Sequence, residues 1–173
     1  KVTFESTPDY LSHPLAPELC YKSLPDIKII VTLRNPVHRA FSHFNFVKGY
    51  GGETNNTTFE TALDLEEDRV GQALKSPEKN RYNSAALLAR YGYKRNGEYF
   101  NHLSAWLKYY PISQFYFADF DTITSEVNHE MKNLTSFLEL PFEKIRDNHT
   151  KNKTQYKTKI NLETMDRLKT HYR

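Results

Sequence analysis

The pattern of apolar and polar positions is most regular between residues 27 and 48. Ile27 to Leu33 is a run of mostly β-branched or apolar residues, which predicts a short buried strand over 27–33. Beyond this strand, apolar side chains recur with the i, i+3, i+4, i+7 spacing of a helix that buries one face. These apolar positions are Val37, Ala40, Phe41 and Phe44. Asn35 suits the N-cap and Pro36 the first turn, so the segment predicts a strand that leads directly into a helix over 36–48.

The rest of the chain alternates between short strand-like segments and longer amphipathic ones. Residues 2–4 and 114–118 are rich in β-branched or aromatic side chains and predict strands. Helices are predicted over 16–24, from Phe59 with Thr58 as its cap, and over 83–90, 97–109, 125–138 and 162–172. The glycines and asparagines between 48 and 57 predict a flexible loop. A few strands alternating with helices predict an α/β fold, in which helices cover both faces of a sheet.

Composition narrows the class of protein without naming a function. The 173 residues suit one domain, and the net charge of +3 fits a small anionic ligand or an acidic glycan rather than nucleic acid. The longest apolar run is only as long as a strand, so the sequence predicts no membrane segment. Cys20 is the single cysteine and the seven histidines lack metal-binding spacing, so neither an internal disulfide nor a metal is expected.

Candidate chemistry lies where the predicted strand meets the predicted helix. A helix N-terminus presents free backbone N–H groups and a positive dipole end, which together suit a phosphate. Arg34 adds a planar fork of donors for such a dianion, and Ser42, eight residues on, can offer a hydroxyl. The same pattern also describes an ordinary strand–turn–helix unit in which the arginine is solvated. The local pattern alone favours this ordinary unit, because such units are common.

The particular sequence of these residues favours the phosphate site over the ordinary unit. The string RNPVHRAFSHF, from Arg34 to Phe44, resembles the 3′-phosphate-binding segment of sulfotransferases that use 3′-phosphoadenosine 5′-phosphosulfate. In that family, the arginine and the serine eight residues later hold the 3′-phosphate of the nucleotide. The resemblance therefore implies that Arg34 and Ser42 are cofactor-binding residues, and that this nucleotide sulfonate donor is the co-substrate.

Three further stretches resemble the carbohydrate (heparan-sulfate-like) branch of the same family. They are the opening from Val2 to Leu11, the stretch from Gly97 to Ala118 and the basic tail from Lys151 to Arg173. The resemblance implies a single sulfotransferase-like domain over 1–173, with a P-loop-like fold in which a parallel sheet is flanked by helices. It also implies that Lys151 and Lys153 in the tail grip the nucleotide phosphates.

One part of the family's pattern is not found in this sequence. Relatives cradle the 5′-phosphosulfate in a glycine-rich strand–loop–helix segment that carries a lysine and precedes the segments matched here. None of the six glycines forms such a loop, so we expect a truncated version of the domain whose N-terminal donor-loop segment is not in the chain. The general base of carbohydrate members is usually an upstream glutamate. Within this chain, Glu5 is the candidate catalytic base, and Ser6 stands where several relatives have lysine.

The expected activity is transfer of a sulfuryl group to a hydroxyl or amine, with a glycan or another hydroxylated small molecule as the acceptor. One alternative is a non-catalytic module of the same fold that binds a glycan or a nucleotide phosphate. Another is a phosphate-binding α/β protein such as a nucleotide kinase relative, but that class would carry a G-K-[ST] loop, which these residues lack. The resemblance therefore favours the enzyme.

Asn-x-Thr sequons leave the compartment open. They occur at Asn55, Asn56, Asn133, Asn148 and Asn152. In a eukaryotic protein these sequons indicate glycosylation and hence an enzyme of the Golgi lumen. In a bacterial or viral protein they would reflect a composition rich in asparagine and threonine, and the enzyme would be cytoplasmic.

Overall fold

A pair of parallel strands forms the sheet of this protein. The computed structural model describes residues 2–76, 78–79, 81–146 and 159–173. Strand β1 (Ile29–Leu33) pairs in parallel with strand β2 (Phe115–Asp119), and these two strands make up the sheet within the described ranges. The register joins Ile29 to Phe115 at one end and Leu33 to Asp119 at the other. Both predicted core strands are therefore confirmed, with β1 two residues shorter than expected at its start.

Helices surround this sheet, as expected of an α/β fold. In chain order they are α1 (Ala16–Ser23), α2 (Pro36–Gly49), α3 (Phe59–Asp64), α4 (Gln72–Leu74), α5 (Arg81–Tyr91), α6 (Tyr99–Trp106), α7 (Phe120–Ser125), α8 (Val127–Leu138) and α9 (Leu162–His171). A π-helical turn over Glu67–Gly71 precedes α4, and a 3₁₀ turn over Arg95–Gly97 precedes α6. Parallel strands need a crossover connection, and here α2 to α6 provide it.

The N-terminus of α2 forms as its sequence predicts. The Asn35 side-chain oxygen accepts hydrogen bonds from the backbone N–H groups of Val37 (3.1 Å) and His38 (3.2 Å). Pro36 occupies the first helical position, where its missing N–H costs nothing. The cap therefore fixes where the helix begins, two residues after Arg34 at the end of β1.

Two hydrophobic clusters hold α2 and the sheet in place. The first joins the buried stripe of α2 to α3, to the turn after α5 and to α9, through Val37, Ala40, Phe41, Phe44, Val47, Phe59, Ala62, Leu63, Tyr93 and Leu168. The second packs the sheet against α1 and α6 through Ala16, Val31, Trp106, Tyr110 and Phe115. Apolar burial on this scale makes α2 a fixed platform, because a well-packed core resists small displacements.

Three details of the predicted secondary structure are wrong. Residues 2–4 form no strand: Val2 and Phe4 are 73% and 92% exposed, and no described strand lies beside them to supply ladder hydrogen bonds. The helix predicted over 125–138 is α8, which begins two residues later at Val127 because Glu126 leaves helical geometry at φ −129° and ψ 46°, and α7 before it was not predicted. The helix predicted over 97–109 is shorter, since Gly97 ends a 3₁₀ turn and α6 spans only Tyr99–Trp106.

Candidate functional site

Arg34 lies at the carboxyl end of β1, between the strand and the cap of α2. Its guanidinium carbon is 4.7 Å from the centroid of the Phe120 ring. Its Nε atom is buried and has no hydrogen-bond acceptor among the described residues. No carboxylate of those residues forms an ion pair with it either. A buried donor without an acceptor costs free energy that a ligand oxygen could offset, so the position fits an anionic ligand.

The register of the sheet explains why Arg34 and Phe120 meet. Leu33 and Asp119 are paired residues at the carboxyl ends of the two strands. Arg34 and Phe120 are the next residues of each strand, so parallel pairing brings them side by side. Ligands of open α/β sheets bind at this edge, outside the carboxyl ends of the strands. Phe120 is the site residue that the sequence pattern did not single out, and its signal is its position directly after the second strand.

Tyr99, the first residue of α6, approaches Arg34 from another side. Burial raises the pKa of the Tyr99 hydroxyl. The charge of Arg39, a hydrogen bond from the backbone of Arg34 and the charge of Arg34 each lower the same pKa and oppose that rise. The phenol therefore lies against the turn that carries the candidate arginine, and it holds the backbone of this turn to α6.

Ser42 lies on α2 two helical turns beyond the cap. It is half-buried and follows Asn35 by seven residues, which places both on one side of the helix, about 10 Å apart along its axis. One turn further on the same side, the Phe46 ring is 61% exposed. We call Ser42 and Phe46 the Ser42 stripe. The prediction that Ser42 binds the ligand of Arg34 stays a prediction.

The neighbouring side of α2 is engaged in internal contacts. We call Arg39 and His43, which are four residues apart, the Arg39 stripe. Arg39 Nη2 donates to the backbone oxygen of Tyr93, and the same side chain donates to the hydroxyl of Tyr172 in the turn after α9. His43 Nε2 donates to the backbone oxygen of Ala89 in α5 at 2.7 Å. These contacts tie α2 to the C-terminal half of the chain.

The pKa of His43 is lowered to about 4. Burial is the main cause and the nearby charge of Arg39 adds to it, while the hydrogen bond to Ala89 acts in the opposite direction. Its ring also packs edge-on against Tyr93, with 4.9 Å between the ring centroids. His43 is therefore a neutral packing residue of the fold.

A buried carboxylate organises the turn that the Arg39 stripe contacts. Glu66 is 1% exposed, and its two oxygens accept from the backbone N–H groups of Lys94 (2.7 Å) and Arg95 (2.8 Å). Burial raises the pKa of Glu66, and these two hydrogen bonds oppose the rise. Nearby, the Tyr93 hydroxyl donates to Glu53 at 2.7 Å. These carboxylates thus find their partners within the protein, whereas Arg39 Nε and His43 Nδ1 are buried without a partner among the described residues.

The other candidate site residues stand apart from this geometry. Glu5 is exposed in an extended segment, accepts a hydrogen bond from the Thr7 hydroxyl, and acts through its charge on the thiol of Cys20. Its role as a catalytic base stays a prediction. Lys151 and Lys153 lie outside the described residues.

The described ranges contain neither a candidate metal site nor a candidate membrane-spanning helix. No group of three or more His, Cys, Asp or Glu side chains there is placed to hold a metal ion. No helix in those ranges has the length and apolar character that crossing a bilayer requires.

Comparison with known proteins identifies the class to which this fold and site belong. The family model for the sulfotransferase domain matches residues 6–172. The chain therefore belongs to the sulfotransferase domain family. The fold agrees: a crystal structure of a sulfotransferase from Alicyclobacillus acidocaldarius superposes with a TM-score of 0.74 and 22% identity, over 94% of this chain and 57% of that one.

Individual relatives place the chain near enzymes of carbohydrate sulfation. Heparan sulfate glucosamine 3-O-sulfotransferase 5 of Mus musculus is 31% identical over 141 residues, which are 82% of this chain and 37% of the relative. The bifunctional heparan sulfate N-deacetylase/N-sulfotransferase 1 of Caenorhabditis elegans is 26% identical over 140 residues, 81% of this chain and 15% of the relative. The resemblance to the carbohydrate branch is confirmed. The chain spans little more than a third of the first relative's length.

Proposed function

We propose that this chain binds the 3′-phosphate of 3′-phosphoadenosine 5′-phosphosulfate and serves the transfer of its sulfuryl group to a hydroxyl or amine of a glycan. One observation carries the proposal. Arg34 presents a half-buried side chain, whose buried Nε has no acceptor among the described residues, at the carboxyl edge of a parallel sheet. Membership of the sulfotransferase domain family, over residues 6–172, supports the same assignment.

The chemistry of the turn suits a phosphate dianion. Arg34 offers parallel donors in a planar fork, and each charge-assisted hydrogen bond contributes on the order of 1.5–3 kcal/mol. The N-terminus of α2 adds a positive dipole end. Ser42 offers a neutral hydroxyl as a further donor. In this proposal, Lys151 and Lys153 supply additional positive charge to the nucleotide phosphates.

The reaction needs accurate positioning more than covalent chemistry from the protein. An acceptor oxygen or nitrogen attacks the sulfur in line, the bond from sulfur to the 5′-phosphate oxygen breaks, and adenosine 3′,5′-bisphosphate leaves. The acceptor proton passes to a general base, for which Glu5 is the candidate within the chain. Arg34 and Ser42 act at a distance from the sulfur, because anchoring the 3′-phosphate orients the whole donor.

Exposed aromatic rings support a glycan as the acceptor. Phe46 and Tyr50 are 61% and 56% exposed, and their ring centroids are 5.2 Å apart. Phe46 belongs to the Ser42 stripe, so this ring pair continues the proposed donor site along α2. Aromatic faces present apolar area at low cost in side-chain entropy and suit stacking on a sugar ring. The relatives named above act on heparan sulfate, which is consistent with this choice.

Arg34→Ala tests the proposal directly. We expect at least a tenfold loss of affinity for adenosine 3′,5′-bisphosphate, about 1.4 kcal/mol or more, measured by titration calorimetry. Circular dichroism and the thermal midpoint should stay close to those of the wild type, because no described oxygen accepts from the buried Nε and the ring contact with Phe120 is the described contact that is lost.

Arg167→Ala is the matched control for this experiment. Arg167 forms an exposed ion pair with Asp64 at 2.9 Å, so its removal changes the net charge equally without touching the proposed site. The control variant should bind the nucleotide like the wild type. Unchanged affinity in Arg34→Ala would contradict the proposal.

A further inference from the structure

We infer that Phe120 is a positioning residue for Arg34, whose guanidinium its ring holds in the orientation that receives a phosphate. This inference rests on the proposed function, since it concerns the same arginine. It adds a residue for which neither the sequence pattern nor the family resemblance gave a role. Phe120 acts through Arg34 and needs no contact with the nucleotide.

The contact has the geometry of a cation–π interaction. The guanidinium carbon of Arg34 is 4.7 Å from the centroid of the Phe120 ring, well inside the limit of about 6 Å for such pairs. A free arginine side chain carries roughly 2 kcal/mol of rotamer entropy. Stacking on a ring removes part of this freedom before the ligand arrives, and a pre-ordered side chain binds with a smaller entropic cost.

The position of Phe120 is itself fixed by the fold. Asp119 pairs with Leu33 in the sheet, and its side chain caps α7 by accepting from the backbone N–H of Thr122 at 2.9 Å. Phe120, the first residue of α7, therefore leaves the sheet in a defined direction. It is half-buried and is not a member of either hydrophobic cluster described above. Filling the core is thus not what keeps this ring in place.

Other stacked cations in the described part of the chain differ from Arg34 in one respect. Lys28, Lys48, Arg69 and Arg90 each lie over an aromatic ring. Each of them also donates to an oxygen: Lys28 to Glu139, Lys48 to Thr57, Arg69 to Glu53 and Arg90 to Gly52. The guanidinium of Arg34 contacts the Phe120 ring, but no oxygen of the described residues accepts a hydrogen bond from its buried Nε. The aromatic face therefore orients this cation while its hydrogen-bonding capacity stays available to a ligand.

The experiment compares two nucleotides that differ only at the 3′ position. Phe120→Leu keeps apolar bulk but removes the π face. We expect it to weaken binding of adenosine 3′,5′-bisphosphate about three- to tenfold, the range of a partly desolvated cation–π contact. Binding of adenosine 5′-monophosphate should not change, because that ligand has no 3′-phosphate. Phe120→Tyr, which restores an aromatic face, should restore the affinity.

Matched variants separate positioning from a merely structural role. Phe137→Leu removes the ring beneath Lys28, which lies 5.4 Å from its centroid near the opposite end of β1, and should leave both affinities unchanged. In an Arg34→Ala background, Phe120→Leu should cause no further loss. Replacing Phe120 by pentafluorophenylalanine keeps the shape of the ring but reverses its quadrupole, so it should reproduce the leucine effect even if the leucine variant does not fold.

The possible outcomes test the role of Phe120 and the proposed 3′-phosphate site separately. Equal losses for both nucleotides, or no loss in the leucine and fluorinated variants, would overturn the inference. The proposed function would survive that result as long as Arg34→Ala still abolished the preference for the bisphosphate. If the wild-type protein showed no such preference, the proposed 3′-phosphate site would fail and the role of Phe120 would fail with it.

Discussion

The two arginines on either side of the N-cap of α2, Arg34 and Arg39, lie in different surroundings. The Arg39 stripe, Arg39 and His43, donates to backbone oxygens of Tyr93 and Ala89. The buried Nε atoms of Arg39 and Arg34 both lack a described acceptor, but of these two guanidinium groups only that of Arg39 donates to a described oxygen through another nitrogen. The two arginines are five positions apart in the sequence. Arg39 is tied to the fold by its hydrogen bonds, and Arg34 is the one that we propose binds an anion.

The difference comes from what distant parts of the chain place opposite each arginine. The end of α5 and the turn after α9 supply oxygens to Arg39, among them the hydroxyl of Tyr172. At Arg34, the described contact of the guanidinium is the ring of Phe120, the first residue of α7 after strand β2. Residue type alone therefore does not separate a structural arginine from a binding one. What differs between the two arginines is which hydrogen-bond acceptors the fold places beside each guanidinium.

The largest effect on stability should come from the carboxylate beneath the Arg39 stripe. Glu66→Ala leaves the N–H groups of Lys94 and Arg95 without their buried acceptor. An unsatisfied buried donor costs about 1–3 kcal/mol, so we expect the free energy of unfolding to fall by about 3 kcal/mol in urea denaturation.

Glu67→Ala is the adjacent control for Glu66. Glu67 pairs with Arg95 at the surface, where its side chain is 66% exposed, and exposed ion pairs contribute at most about 1 kcal/mol. Its removal should therefore change stability much less than Glu66→Ala does. Similar losses in the two variants would show that the buried carboxylate does not organise this turn.

His43 should make the Arg39 stripe sensitive to acid. Its pKa is about 4 in the folded protein, chiefly because of burial, against about 6.5 in the unfolded chain. Between these values the unfolded state binds the extra proton, so stability is complete above about pH 6.5 and is lost as the pH falls toward 4. We expect this group to account for about 2 kcal/mol of destabilisation between pH 7 and pH 5.

Two variants isolate the contribution of His43. His43→Phe keeps a ring against Tyr93 and removes the titrating group, so its stability should fall less than that of the wild type over the same pH range. His38→Gln removes an exposed histidine of the same helix and should keep the wild-type pH dependence. Identical profiles for the wild type and His43→Phe would be incompatible with a neutral, buried imidazole.

Sequence reasoning was sufficient where a few adjacent residues decide the outcome. The cap at Asn35, the proline after it and the buried stripe of α2 are local features, and the structure confirms all three. The strand predicted over 2–4 was wrong because strand formation depends on a partner, whereas propensity describes only the residues themselves. Helix α7, which ends at Ser125, also escaped prediction, and α8 begins two residues after the predicted start.

In the candidate site, too, the sequence predicted the residue that depends on local features and missed the one that depends on strand pairing. Arg34 was predicted as a candidate site residue from its position between a strand and a helix cap, and from the sequence of residues 34–44. Phe120 was not found, because its contact with Arg34 follows from the pairing of Leu33 with Asp119, which are 86 residues apart in the sequence. Because the carboxyl ends of parallel strands meet at one edge of a sheet, the residue directly after the second strand could have been predicted as a neighbour of Arg34.

The smallest expected effect concerns the outer end of the Ser42 stripe. Phe46→Ala and Tyr50→Ala each remove one ring of the exposed pair. Loss of roughly 50 Å² of apolar contact with a sugar ring amounts to about 1.4 kcal/mol, so each variant should bind a heparan sulfate oligosaccharide about tenfold more weakly. Affinity for adenosine 3′,5′-bisphosphate should stay constant, because neither ring contacts the turn that carries Arg34.

Phe100→Ala is the control for this last comparison. Phe100 is 84% exposed on α6, away from α2 in the chain, so its removal tests whether any exposed ring contributes to glycan binding. A selective loss in the two α2 variants would show that the donor and acceptor portions of the site follow one side of a single helix. Equal losses in all three variants, or none, would instead separate the glycan from the Ser42 stripe and leave that stripe with the nucleotide alone.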